Sequence, residues 1–190
     1  MGNINNRFEF IPTGFDGLTL LRRKPIGDSR GYLQRMFCAE DLVEVLEGQS
    51  ILQINHTFTK NLGTVRGMHY QLPPFSETKV ISCQKGRVFD VALDLRSSSK
   101  TFMKSFVIEL SEDNHLTLCI PKGFAHGFQA LTNNCEMLYL HTEVYSADFE
   151  RGINALDKKI NIEWPLPVTE RSARDLSHPM LTEHFHGIEI

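Results

Sequence analysis

After residue 50, apolar and polar residues alternate in short runs, and Pro, Gly and Asn break one run from the next. Residues 50–58, 64–70, 79–83, 86–95, 102–110, 115–120, 124–131 and 135–145 each read as a β-strand. Pro73-Pro74, Lys85-Gly86, Pro121-Lys122-Gly123 and Asn133-Asn134 supply turn signals between them. Within residues 86–96, Phe89, Val91, Leu93 and Leu95 fall on one face, and Val88, Asp90, Ala92 and Asp94 on the other. Eight or more short strands at this spacing predict an all-β jelly roll or barrel. Ahead of them, Leu42, Val45 and Leu46 recur at helical spacing and Gly48 can end the run, which predicts a short N-terminal helix over residues 39–48. Beyond Gly152 the strand signal fades, and residues 172–176 predict a small helix in the C-terminal tail with Ser172 as its cap.

No repeat, low-complexity tract or linker divides the chain, so its 190 residues are expected to form one domain over residues 1–190. A net charge of −3 argues against a nucleic-acid partner, while local arginines leave room for a small anion. The cysteines, Cys38, Cys83, Cys119 and Cys135, form no CxxC pair. Cys83 and Cys119 sit in apolar runs and read as buried thiols of a reducing compartment. The start, MGNINNRFEFIP, lacks the apolar core of a signal peptide, and Asn6 stands where a myristoylation site needs Ser or Thr. No stretch reaches the length of a membrane span, so a cytoplasmic protein with no membrane partner is expected.

The runs Gly67-Met68-His69-Tyr70-Gln71 and Pro121-Lys122-Gly123-Phe124-Ala125-His126 resemble the two halves of the cupin signature. A metal-binding cupin needs His-x-His with a downstream Glu in the first half and a further His in the second, because several ligands must converge on the ion. Here Gln71 stands at the second histidine, and Glu77 is off the usual spacing. His69 and His126 alone are too few, so the expectation is a cupin barrel with no metal and no cofactor. Arg66 lies three residues before His69, which puts the two on opposite faces of a regular strand unless a local bulge intervenes. Gln53, Asn55 and Lys79 lie on flanking strands, and a polar cluster inside a barrel is costly unless it serves a ligand.

At these residues the chain closely resembles the dTDP-4-dehydrorhamnose 3,5-epimerase family. The motifs run in order from about residue 18 to 179. Asp28-Ser29-Arg30-Gly31 and Gln53-Ile54-Asn55-His56 come first, then the run from Val65 to Pro74. The segments from Val88 to Arg96 and Ile120 to Phe128 follow, then Glu163-Trp164-Pro165 and Ser172-Ala173-Arg174-Asp175. The resemblance implies deprotonation and reprotonation beside the C4 ketone of a nucleotide-linked 4-keto-6-deoxyhexose, inverting C3, C5 or both, in deoxysugar and O-antigen precursor synthesis. Such a reaction needs a base, a group to hold the enolate oxygen and an acid across the ring.

His69 matches the family's base, Asp175 the carboxylate that pairs with it, and Lys79 the cation near the keto oxygen. Tyr139 matches the proton donor and Tyr145 a second tyrosine near the sugar. Arg30 and Arg66 match diphosphate-binding arginines, and Gln53, Asn55, His126, Glu150 and Arg174 fall on other substrate-contacting positions. Taken singly, Tyr139 and Tyr145 also read as barrel-wall aromatics, Arg30 as a turn residue and Asp175 as a helix-start residue.

The family's Arg-Gly continues with two aromatics and a Glu two residues later; here Leu33 replaces the second aromatic and Arg35 the Glu. In the family this segment reaches the nucleotide base from a neighbouring subunit, so a homodimer is implied. A carboxylate accepts from the N3–H of thymine, whereas an arginine suits the bare N3 and carbonyl of cytosine. Two readings stand: a CDP-linked substrate, or an Arg35 turned to solvent or phosphate with a dTDP-linked one. The alternatives to an epimerase are a sugar-nucleotide 3,4-ketoisomerase, a catalytically silent sugar-nucleotide-binding cupin, and a metal-dependent oxygenase that lacks its ligands here.

Overall fold

The structure is a computed structural model and describes residues 7–190. Residues 1–6, on which the expectations about a leader and acylation partly rest, lie outside the described residues. All eight expected strands are present. They are β5 (Gln53–Thr59), β6 (Val65–Gln71), β7 (Lys79–Lys85), β8 (Arg87–Asp94), β9 (Ser105–Ser111), β10 (Leu116–Ile120), β11 (Phe124–Ala130) and β12 (Cys135–His141). Five more were not read from the pattern: β1 (Phe8–Pro12), β2 (Thr19–Arg23), β3 (Ile26–Asp28), β4 (Gly31–Leu33) and β13 (Glu150–Gly152).

Two antiparallel sheets face each other, in the orders β1-β2-β10-β7-β12-β5 and β13-β6-β11-β8-β9, with β3-β4 as a separate hairpin. Alternation assigns each side chain to a layer. Ile81, Leu118 and Met137 from one sheet meet Val88, Ala92 and Phe128 from the other, so the space between the sheets has a dry apolar end. The outer face of the first sheet, with Val80, Cys119 and Leu140, is covered by Leu42 and Leu46. The outer face of the second, with Val65, Met68, Val91 and Leu93, is covered by Ile153, Ile160 and Trp164 of the tail. This is the expected cupin-type jelly roll, with the faces of residues 86–96 divided as the alternation predicts.

The expected helix at residues 39–48 is instead a run of turns. The Leu42 and Leu46 amides make helical bonds to Cys38 and Leu42, but Gly48 reaches back to Val43, and Glu47 and Gly48 both take left-handed backbone conformations (φ +51° and +71°). So short a segment cannot offset the cost of nucleating a helix alone; burial of Leu42 and Leu46 against the sheet fixes it. In the tail, α1 (Ala173–Ser177) forms as expected, and the Ser172 hydroxyl accepts from the Asp175 amide at 3.0 Å. All four cysteines are free thiols, and burial pushes the Cys83 thiol up to about 12 and Cys119 higher still. No helix among the described residues is long and apolar enough to cross a membrane.

One irregularity shapes the open end of the barrel. His126 pairs with His69, yet Phe128 pairs with Arg66, so β6 carries one more residue than β11 between the two pairs. The bulge reverses the face of Arg66 relative to a regular strand. It depends on Gly67, whose φ of +125° favours glycine and whose position leaves no room: a Cβ there would lie 2.5 Å from the Gly127 Cα. A Gly67→Ala substitution should therefore destabilise the fold by about 2 kcal/mol or more. The urea midpoint would fall with an unchanged slope, and an unchanged midpoint would contradict this role for the bulge.

Candidate active site

The other end of the space between the sheets is open and polar, a cavity of about 500 Å³. It receives His69 and Arg66 from β6, Lys79 from β7, His126 from β11, Tyr139 and His141 from β12, and Gln53, Asn55 and Thr57 from β5. The tail closes one side with Ser172, Arg174 and Asp175.

Asp175 is a buried charge on the tail side of the cavity, 3% exposed. Its Oδ1 lies 2.6 Å from His69 Nε2. Burial alone would raise the Asp175 pKa, but the hydrogen bond and charge of His69, with help from Ser172 and the Gly67 amide, hold it below the usual carboxylate range. An ionised Asp175 makes Nε2 the donor, so a neutral His69 keeps its lone pair on Nδ1.

Lys79 sits in a second network. Its ammonium is 3.2 Å from Glu77 Oε1 and 3.4 Å from the His69 carbonyl oxygen. Glu77 Oε2 is 2.7 Å from His141 Nδ1, and the other ring nitrogen of His141 faces the Asn55 amide nitrogen at 3.3 Å. His141 thus donates to Glu77 and accepts from Asn55. Burial would raise the Glu77 pKa, but Lys79 and His141 outweigh it and the carboxyl stays below its usual range.

A third pair, His126 with Asp90, is almost fully enclosed, with Nε2 at 3.0 and 2.9 Å from the two carboxylate oxygens. The Tyr139 ring packs edge-on to His126 and parallel to His141. Burial, reinforced by Asp90, raises the Tyr139 pKa well above that of a free phenol, so the hydroxyl keeps its proton. At the mouth, Glu150 takes a hydrogen bond from Tyr145 at 3.1 Å and pairs with Arg174 at 2.7 Å. The Arg66 guanidinium is aimed by Thr59 and the Phe58 carbonyl.

A family model described as dTDP-4-dehydrorhamnose 3,5-epimerase matches residues 12–183. The chain belongs to that family. A relative of this name from Shigella flexneri is 40% identical over 88% of this chain and 92% of its own. One from Sinorhizobium fredii is 39% identical over 86% and 85%. Among solved structures, a Bacillus anthracis epimerase holding TDP and PPi superposes with a TM-score of 0.88 at 36% identity, covering 92% of this chain and 99% of its own. An epimerase from Legionella pneumophila in complex with dTDP-4-keto-L-rhamnose gives 0.88 at 33% identity, covering 96% and 98%.

Within this epimerase fold, His69, Asp175, Lys79, Tyr139, Tyr145, Gln53, Asn55, Arg66, His126, Glu150 and Arg174 all line the one cavity. Arg30 and Arg35 do not line it. Arg30 lies on the exposed turn between β3 and β4 and pairs with Asp28 at 2.6 Å, and Arg35 pairs with Asp41 at 3.2 Å. Glu77, weighed in the sequence only as a metal ligand, is instead the counter-ion of Lys79, and Gln71 braces loops by bonding the Phe75 and Val144 carbonyls. No motif or spacing pointed to the His141 link. Asp90 had one unread signal, its place on the inward face of β8 with Val88 and Ala92.

A depressed carboxylate contributes stability above its unfolded pKa and loses it as pH falls through the lower folded value. Replacing Glu77 by Gln should cost about 2 kcal/mol near neutrality. The gap between wild type and E77Q should close as pH falls below about 4. Urea unfolding across that range measures it, and a pH-independent gap would contradict the ionised Glu77.

Proposed function

We propose that this chain epimerises a dTDP-linked 4-keto-6-deoxyhexose at C3 and C5 by moving protons beside the C4 ketone. The observation that carries the reading is the arrangement around one cavity: a carboxylate-paired histidine from one sheet, a protonated tyrosine from the other, and Lys79 at the same end.

His69 Nδ1 takes the proton from the carbon beside the ketone, and the C–H electrons move onto the keto oxygen as an enolate. The imidazolium formed is stabilised by Asp175. The Lys79 ammonium neutralises the enolate oxygen, while Glu77, with His141, keeps the lysine placed. Tyr139 returns a proton to the opposite face of the carbon; its raised pKa makes it a donor rather than a bystander phenolate. His126, held by Asp90, and the Tyr145–Glu150–Arg174 group contact the sugar, and Gln53 and Asn55 complete that wall. Arg66 offers its planar fork to the diphosphate.

Arg30 and the exposed Tyr32 and Leu33 beside it suit a homodimer, in which the β3–β4 hairpin reaches the partner's cavity and brings a second arginine to the phosphates. The solved relatives that hold TDP or dTDP-4-keto-L-rhamnose, together with Arg35 paired to Asp41, favour a dTDP-linked substrate over a CDP-linked one.

In deuterated water with dTDP-4-keto-6-deoxyglucose, NMR should show deuterium at C3 and C5. His69→Asn should slow exchange by about a hundredfold to ten-thousandfold. Tyr139→Phe should keep more exchange than product, since it removes the donor and not the base. Arg30→Ala should raise KM more than it lowers kcat. No exchange in a folded protein that binds dTDP would overturn the proposal in favour of a silent binder, and exchange only with the CDP-linked sugar would overturn the base assignment.

A further inference from the structure

His178, the residue that ends α1, lies beside the His69–Asp175 pair without joining it. Its ring stands edge-on to His69, with centroids 5.3 Å apart. Its Nε2 is 3.6 Å from Asp175 Oδ1, beyond hydrogen-bond reach. That nitrogen is shielded from solvent and has no hydrogen-bond partner, which is rare for a buried polar atom. The ring is not free to turn away, because it packs so tightly over Gly152 that a Cβ there would overlap it.

One donor atom from each of His69, Asp175 and His178 lies within 4.8 Å of the others. Two imidazoles and a carboxylate suit a borderline divalent ion such as Zn²⁺ or Co²⁺, and not Mg²⁺ or Ca²⁺, which prefer oxygen ligands. In a tetrahedral zinc site the ligand atoms stand about 3.3 Å apart. The Asp175–His178 separation of 3.6 Å is already close to that, and the His69–Asp175 pair at 2.6 Å needs only a small opening. Ser172 and the Gly67 amide brace the carboxylate from behind.

We infer that His69, Asp175 and His178 form a transition-metal site, and that the ion it binds inhibits the enzyme. The inhibitory half rests on the assignment of His69 as the base; the binding half does not. For Nε2 to ligate the ion, the single proton of the neutral His69 ring must pass to Nδ1. The nitrogen that would take the substrate's proton then already carries one, and Asp175 is drawn to the metal. No proton is gained or lost overall, and the base is switched off.

The test titrates chelator-treated full-length protein with Co²⁺, followed by its d–d absorption, and with Zn²⁺ by calorimetry. His178→Phe keeps the packing over Gly152 and removes both nitrogens, and His178→Gln serves as a second variant. One equivalent should bind wild type, and each variant should bind at least about tenfold more weakly. Zn²⁺ should suppress deuterium exchange in wild type, a chelator should restore it, and the variants should need correspondingly more Zn²⁺. Absence of saturable binding, equal affinity in the variants, or binding that leaves exchange untouched would each overturn the inference. Binding that depends on His178 in a protein with no exchange activity would instead uphold the site and count against the epimerase proposal.

Discussion

A buried carboxylate keeps its charge only if the surrounding protein supplies partners, and Asp175 draws its partners from separate parts of the chain. His69 comes from β6, the Gly67 amide from the bulge just before it, and the Ser172 hydroxyl from the cap of α1. The charge therefore ties the C-terminal tail to the barrel wall at the open, polar end. The same contacts fix the tautomer of His69 and leave Nδ1 free. Without the Gly67–Gly127 close approach, β6 would keep a regular register, and Arg66 and His69 would face opposite sides of the sheet.

The rest of the open end repeats this solution. Asp90 is matched by His126, and Glu77 by Lys79 and His141, so the acidic groups inside the barrel are each paired with a base. Buried pairs of this kind add little stability over apolar packing of the same volume. The apolar end, with Leu118, Phe128 and Met137, carries the fold, and the polar end holds preoriented groups whose place is explained by a ligand.

Strands β6 to β12 were legible because each packs at least one face on a core, whereas β13, three residues long, was not. None of the N-terminal strands β1 to β4 was: β3 and β4, for instance, are three residues each and exposed, with no buried face to write a pattern. Leu42 and Leu46 showed helical spacing because two turns do bury them, but spacing does not reveal that Glu47 and Gly48 break the bonding. In the site, motif order named His69 and Asp175 although 106 positions separate them, whereas their pairing distance is a tertiary fact. Glu77, His141 and His178 carry no local signal at all, and Asp90 only its place on the face of Val88 and Ala92. Their roles arise from which strands and tail residues lie side by side, as does the face of Arg66, which only the bulge decides.

In the proposed mechanism His69 and Asp175 act as one unit, and a double-mutant cycle on kcat/KM is the decisive measurement. Rates of solvent-deuterium incorporation would be compared for wild type, His69→Asn, Asp175→Asn and the double variant. If the carboxylate acts through the histidine, the double variant is no slower than His69→Asn alone. Losses that multiply would show that Asp175 contributes independently of His69, and would contradict the paired base.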